Sequence, residues 1–433
     1  MPFPRGRVEG VAARGARPLG RPVPLPARTL VDSRPMASVV LRASKGHVLA
    51  IWAGHPWVYA QAVLHVDGRP ADGDIVDVLD EHNQLLGCGF YSSRSALAVR
   101  MLARRPAETI DDAFFHDAVS RAVHRRQRLM GLPSDHTTGY RLVHAEGDGL
   151  PGFVADRLGD VLAIQFTSLG MKRREHVVLD ALGQLLRPRA IVEIPDEDLQ
   201  RLEGFESNRQ PVRGKYEPPA CFEESGLAYA VDPLSGQKTG FYFDQRENRR
   251  LLARLVRGQR VLDLCCYVGA FSVTCAKAGA AEVDGVDTSA QVLLAAQRHA
   301  EHAGVADRVR FLRDDARRFL EQAARAQKTW DVVILDPPKY ARRTGDVEKA
   351  LKGKYLPLNR AALRVVSPGG LLVTCSCSGR VRPDQFLRTV GLAAAEARRS
   401  TRVLALRGAG PDHPVPPAFA EGQYLKCAFL EVD

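Results

Sequence analysis

The chain has 433 residues, more than one ordinary hydrophobic core holds, and its 45% hydrophobic and 26% charged content excludes a fibrous or wholly disordered protein. No apolar run approaches the ~18 residues of a membrane-spanning helix, and no signal peptide is visible, so no membrane partner and a cytoplasmic location are expected. The net charge of +11, from 61 basic and 50 acidic residues, favours an anionic partner such as nucleic acid, although an arginine-rich composition alone can produce it.

Residues Met1 to Pro35 are Arg- and Pro-rich, carry only Glu9 and Asp32 as acids, and show no period. They are read as a disordered extension over 1–36, either a basic RNA-binding arm or a stretch upstream of a true start at Met36. From Ala37 to about residue 110, short strand-like runs are punctuated by Asp67-Gly68 and Asp72-Gly73. These runs predict a small β-barrel with a basic, aromatic entrance at Lys45, His55 and Trp57. A helix is predicted from Asp112 to Met130, with Phe114, Phe115, Val119 and Val123 at helical spacing. Strands between Tyr140 and Thr167 and a helix near Lys172 to Leu186 then form an α+β middle domain over 111–233.

Residues 234–433 change character. Strand-like runs alternate with helical ones, the pattern of an α/β, doubly wound parallel sheet. The predicted strands are Arg260 to Asp263, Val283 to Asp287, Val309 to Arg313, Asp331 to Asp336 and Leu371 to Thr374. A helix precedes them, with Asp244 as N-cap, Glu247 completing a capping box and Gly258 just past its end.

Four of these strands run out into aspartates: Asp263, Asp287, the Asp314-Asp315 pair and Asp336. Ligands of open parallel sheets bind outside the carboxyl ends of the strands. Any one of these acids alone could be a simple helix cap. Four together would repel one another unless they met hydrogen-bond donors such as ribose hydroxyls, an adenine amino group or an α-ammonium. The turn Leu264-Cys265-Cys266-Tyr267-Val268-Gly269-Ala270-Phe271 has one glycine where a dinucleotide fingerprint has three. The missing glycines argue against a pyrophosphate and for a nucleoside cofactor, with Asp287 placed 24 residues after Asp263 as the ribose acid.

The fourth strand leads into Asp336-Pro337-Pro338-Lys339, whose paired prolines remove two backbone donors. The fifth leads into Thr374-Cys375-Ser376-Cys377-Ser378-Gly379, and residues two apart on a strand share a face. Cytosine C5 is too weak a nucleophile to take a methyl group unaided. A thiolate adding at C6 activates it, so a cysteine beside such a pocket is informative. The eight cysteines include no C-x-x-C pair at zinc-ligand spacing, so no metal is expected.

Taken together, these residues resemble the bacterial large-subunit (23S) ribosomal RNA cytosine-C5 methyltransferases of the RlmI type. The resemblance runs from about Ala37 to the C-terminus. It rests on His55-Pro56-Trp57-Val58-Tyr59, Glu146-Gly147-Asp148-Gly149-Leu150-Pro151-Gly152, Lys238 to Arg246, Asp336 to Lys339, Ser376 to Gly379 and Asp412-His413-Pro414. It implies an RNA-binding PUA domain over 37–110, a middle domain, and a Rossmann-like class I methyltransferase domain that uses S-adenosyl-L-methionine. The family nucleophile falls on Cys377. With the strand-end reading, the resemblance implies Asp263 and Gly269 at the methionine end, Phe271 beside them, Asp287 on the ribose and Asp315 on the adenine. Gln245 and Arg246 would touch the cofactor or close the pocket, Asp336 would hold the cytosine N3/N4 edge, and Lys339 would lower the thiol pKa. Cys375 and the Cys265-Cys266 pair depart from the family pattern, and Pro338-Lys339 stands where related enzymes carry a second cysteine for product release.

Three other readings stay open on sequence alone. They are methylation of another RNA base such as guanine N7, a small-molecule or protein methyltransferase, and a non-catalytic RNA-binding ribosome-assembly factor. A homodimer is compatible with the sequence, which is silent on the target nucleotide.

Overall fold

In a computed structural model, residues 37–42, 46–104, 109–236, 239–341 and 344–433 are described. The expected disordered extension, Lys45 and Lys238 lie outside these residues. The first sheet is built from short alternating strands: β1 Ser38–Leu41, β2 Trp57–Tyr59, β3 Val63–Asp67, β4 Ile75–Leu79, β5 Leu85–Tyr91 and β6 Leu97–Ala103. They pair in the order β2-β6-β5-β4-β1-β3. Val58 of edge strand β2 and Val63 of edge strand β3 pack into the same small core with Val39, Val76 and Val99, so the sheet is curled.

The next sheet contains β7 Gly139–His144, β8 Phe153–Leu158, β9 Val161–Phe166, β10 Ala190–Glu193 and β11 Gln210–Gly214, in the order β11-β10-β9-β8-β7. The helices Asp112–Met130 and Glu175–Leu186 cover one face. The first begins and ends as its sequence predicts, with the Asp111 side chain accepting from Phe114 N and Gly131 in the left-handed conformation. Its buried stripe holds one charge. Arg126 is fully buried, and its guanidinium donates to Asp148 Oδ1 (2.6 Å), the Arg141 carbonyl (3.0 Å) and the Asp412 carbonyl (2.6 Å). The hairpin β12 Ala220–Glu224 and β13 Leu227–Val231 follows, and its Phe222, Tyr229 and Val231 share one core with the middle sheet and the sheet beyond it.

The last sheet has seven strands: β14 Arg260–Leu264, β15 Glu282–Asp287, β16 Val309–Arg313, β17 Trp330–Leu335, β18 Val366–Ser376, β19 Thr401–Arg407 and β20 Lys426–Val432. Their order is β16-β15-β14-β17-β18-β20-β19. β14 to β18 run parallel, and β20 and β19 are antiparallel. β17 shows why parallel strands read as continuous apolar runs. Val332 and Ile334 enter the core on one face of the sheet, and Val333 and Leu335 enter the core on the other. The order reverses between β14 and β17, the place where open α/β sheets form their crevice.

One local expectation is corrected. The helix before β14 spans Arg246–Ala253 with Gln245 at its N-cap and no side-chain cap. Asp244 instead sits in a 3-10 turn and accepts from Tyr424 Oη at 2.6 Å. Gly258 lies in a later turn rather than at the helix end. A partner supplied from 180 residues away outcompetes the local cap.

Replacing Arg126 by Met leaves Asp148 and two carbonyls without their shared buried donor. The expected outcome is a loss of about 3 kcal/mol of stability, read as a lower urea midpoint, with the loss larger than for the exposed control Arg201→Met.

Candidate active site

The carboxyl ends of β14 to β18 surround a cleft of about 660 Å³, within the ~300–1,000 Å³ common for small-molecule sites. Asp263, Phe271, Asp287, Asp315, Asp336, Lys339 and Cys377 all line it, as does Gln245. The turn after β14 is bent sharply, with Cys265 (φ 60°), Tyr267 (φ 51°) and Gly269 (φ 75°) in the left-handed region. Non-glycine residues held there cost energy and cluster where a ligand is clamped. Tyr267 N in this turn donates to Asp287 Oδ2, and Ser289 N donates to Oδ1, both at 3.0 Å, so the second acid is oriented by backbone.

Asp263 is buried, and Ser272 Oγ donates to its Oδ2 at 2.6 Å. Its Oδ1 has no hydrogen-bond partner among the described residues. Burial pushes its pKa up to about 7, aided by the Asp336 and Asp287 charges and opposed by the Ser272 hydrogen bond. Such a carboxyl is suited to a cationic ligand group. Asp315 caps the helix Ala316–Arg325, with Oδ1 accepting from Arg317 N and Arg318 N, while also facing the cleft. An aspartate cluster with an unpartnered buried oxygen and an aromatic wall at Phe271 fits the ammonium, ribose and adenine of a nucleoside cofactor.

Asp336 Oδ2 accepts from Gln245 Nε2 at 3.0 Å, and Gln245 Oε1 accepts from Asn248 Nδ2 at 2.6 Å. Gln245 therefore steers Asp336 directly. The two cysteines part company. Cys375 is fully buried in β18, paired in register with Cys427 and 3.4 Å from Gln245 Nε2. Cys377 lies beyond the strand end, is half-buried and faces the cleft. The same-face expectation fails because the strand stops at Ser376.

The loop carrying Cys377 is held by groups that sequence reading missed. Tyr355 Oη bonds Ser376 Oγ (2.9 Å) and Ser378 Oγ (3.0 Å), and Ala341 N donates to Ser378 Oγ (3.2 Å). Tyr355 ends a π-helical turn, Leu351–Tyr355, a distortion frequent at functional sites. Lys426 of β20 donates through Nζ to the Ser378 and Tyr424 carbonyls, each at 2.7 Å. Its sequence signal was a lone charge inside the apolar run Leu425 to Leu430.

Four expected residues are placed elsewhere. Arg246 does not line the cleft. Its guanidinium is buried and donates to Asp412 Oδ2 at 2.9 Å. Gly269 is also absent from the lining, and a Cβ there would press on Ala296 and Phe311, so its role is conformational. His55 and Trp57, expected at an RNA entrance, lie in the seam between the first sheet and the rest of the chain. His55 Nε2 is 3.3 Å from Glu421 Oε2, Trp57 Nε1 donates to Glu146 Oε1 at 2.9 Å, and the Trp57 ring meets Phe419 with centroids 4.4 Å apart. Their acceptors come from distant segments that no local pattern reveals.

Comparison with known proteins agrees with this geometry. A PUA-like domain profile matches residues 41–104, and an S-adenosylmethionine-dependent methyltransferase profile matches residues 214–418. A chain described as a methyltransferase and solved with S-adenosylhomocysteine shares the fold, with a TM-score of 0.78 at 20% identity over 91% of this chain and 99% of that one. The protein is thus an S-adenosylmethionine-dependent methyltransferase of the class I α/β fold, preceded by a PUA-like domain. Among curated proteins, the "Ribosomal RNA large subunit methyltransferase I" of Shewanella denitrificans is 37% identical over 392 residues, covering 90% of this chain and 98% of the relative. That of Aeromonas hydrophila is 35% identical over 385 residues, covering 88% and 96%. The chain belongs to the ribosomal RNA large subunit methyltransferase I family. Among the described residues, no helix is long and apolar enough to cross a membrane.

Gln245→Leu removes the donor to Asp336 without touching the cleft acids Asp263 and Asp287. Methyl transfer is expected to fall about 10- to 100-fold, with S-adenosylmethionine affinity, measured by calorimetry, changed less than threefold.

Proposed function

We propose that the protein methylates C5 of a cytosine in large-subunit ribosomal RNA, with Cys377 as the nucleophile. The observation that carries this reading is that a half-buried thiol and the Asp336 carboxylate line the cleft that also holds Asp263, Asp287 and Asp315. A transfer to guanine N7 needs no thiol there. Bound S-adenosylmethionine supplies a methyl carbon made electrophilic by its sulfonium.

Asp263 meets the α-ammonium, Asp287 the ribose hydroxyls, Asp315 the adenine and Phe271 the apolar side of the same ligand. Asp336, steered by Gln245, holds the cytosine N3/N4 edge. The Cys377 thiolate adds at C6, which makes C5 enamine-like and able to take the methyl group. When the C5 proton leaves to water, the C5=C6 bond reforms and the C6–S bond breaks, returning the thiolate. A single cysteine then serves for both attack and release.

On this reading residues 37–110 hold RNA, 111–233 bridge, and 234–433 carry out the transfer in the cytoplasm on a base extruded from its stack. The half-buried His55 and Trp57 leave base contact to exposed groups such as Trp52, 75% exposed on the helix His47–Trp52.

Mapping of 5-methylcytosine in ribosomal RNA from cells with and without the gene tests the reading. One large-subunit cytosine should lose its mark, and a Cys377→Ala copy should not restore it. If no cytosine changes, the cytosine reading is wrong.

Asp263 generates a second expectation. With its carboxyl at about 7 in the free protein, it is mostly protonated at pH 6 and mostly ionised at pH 8. An ammonium binds the ionised form, so affinity for S-adenosylmethionine should rise about fivefold from pH 6 to pH 7, before the ligand's own α-amino group loses its proton. The Asp263→Asn protein should bind weakly with a flat profile; a flat profile in the unsubstituted protein would remove Asp263 from this role.

A further inference from the structure

Lys426 stands on β20 directly opposite Ser376, one residue before Cys377. Its side chain is 2% exposed, and its Nζ donates to two neutral carbonyls, those of Ser378 and Tyr424. An ammonium has three donors, so one remains after these two bonds. Both hydrogen bonds are local to the Cys377 loop, and neither neutralises the charge. Among the described residues, the ionisable groups acting on Lys426 are Cys377, which favours the ammonium, and Lys339, which opposes it. Burying a cation without an anion is costly, so the fold retains this lysine against a penalty that a neutral residue would avoid.

We propose that Lys426 is a positioning residue that holds Cys377 in its anionic form and aims its loop into the cleft, a role that rests on Cys377 being the nucleophile. Among the described residues, the charge on Cys377 also acts on three tyrosines: Tyr242 before the helix Arg246–Ala253, Tyr340 after β17 and Tyr355 in the π-turn. Burial pushes all three hydroxyls up, so they stay neutral and supply no positive charge. Among the described residues, the lysines that bear on this site are the buried Lys426 and, lining the cleft, the exposed Lys339 and Lys354. Asp336 on the same cleft wall opposes a second negative charge. Lys339 is exposed, where water and salt weaken its field, whereas Lys426 acts through the protein interior. Burial lowers Lys426 to about 8, so it still carries its proton at neutral pH, where a thiolate is useful. After the thiolate adds to the base, the ammonium faces a neutral thioether. The charge it favours returns when the C6–S bond breaks, so the same residue assists both attack and release.

The test follows the rate of Cys377 alkylation by iodoacetamide against pH in the full-length protein, by mass spectrometry of the Cys377 peptide because the exposed Cys221 also reacts. In the unsubstituted protein the midpoint should fall below the ordinary thiol value of about 8.5. Lys426→Met should raise it by about one unit and slow alkylation at pH 7 about tenfold, Lys426→Arg should restore most of the rate, and Lys339→Met should have the smaller effect. Cofactor binding and thermal unfolding of each variant confirm folding, with Lys426→Gln as a second neutral replacement. An unmoved midpoint in a folded neutral variant overturns the proposal. So does an ordinary midpoint in the unsubstituted protein, which decides the matter if neither neutral variant folds. Because alkylation needs no RNA, a Cys377→Ala protein that still methylates would sink the cytosine-adduct reading while leaving this result to stand separately.

Discussion

Asp412 is the point on which three separate segments converge. Its carboxylate accepts from Arg246 Nη1 (2.9 Å) and from Arg141 N (3.0 Å) and lies 3.2 Å from His413 Nδ1, while its carbonyl accepts from the buried Arg126. Burial alone would raise its pKa, but His413, Arg246 and the Arg141 N–H hold it well below the usual carboxylate range. The knot joins the long helix of the middle sheet, strand β7 and the helix that precedes β14. Next to it, Gly147 packs so closely under the Pro414 carbonyl that any side chain would collide. Buried charge pairs of this kind add little net stability but tolerate no substitution of one partner, which makes the relative placement of these segments unforgiving.

That placement matters because the cleft is assembled from both ends of this framework. Gln245, at the start of the helix whose Arg246 enters the knot, reaches across to Asp336. Asp244, one residue earlier, is tied by Tyr424, whose carbonyl also receives Lys426. Small shifts of that helix would therefore move the acid expected to hold the base and the loop that bears Cys377 together. The cleft's acids raise one another's pKa at Asp263, and a bound ammonium relieves that repulsion.

The seam around Glu421 extends the same logic to the first sheet. His55, Tyr59 and Phe419 gather there, and Glu146, in the turn between β7 and β8, takes the Trp57 indole. Polar tips on aromatic rings suit such a boundary, where an apolar body packs and a hydrogen bond fixes orientation. Residues expected at a binding surface thus also bond across the boundary between the first sheet and the segments beside it.

The parallel sheet, its five parallel strands, the acids at their ends and the positions of Asp336 and Cys377 could all be read from the sequence. Their signals are local: apolar runs of strand length, a proline pair, and one glycine where a dinucleotide site has three. Long-range partner choice could not be read that way. Whether Arg246 met a cofactor or Asp412, whether His55 and Trp57 faced RNA or Glu421 and Glu146, and which of Cys375 and Cys377 reached the cleft depended on residues from tens to hundreds of positions away. Lys426 shows the limit most clearly. In the sequence it is one charge in an apolar strand, and only the antiparallel pairing of β20 with β18 brings it opposite Ser376 and onto the Ser378 carbonyl, on either side of Cys377. Periodicity and turn chemistry act over a few residues, whereas a buried charge takes its partner from whatever the finished fold brings within reach.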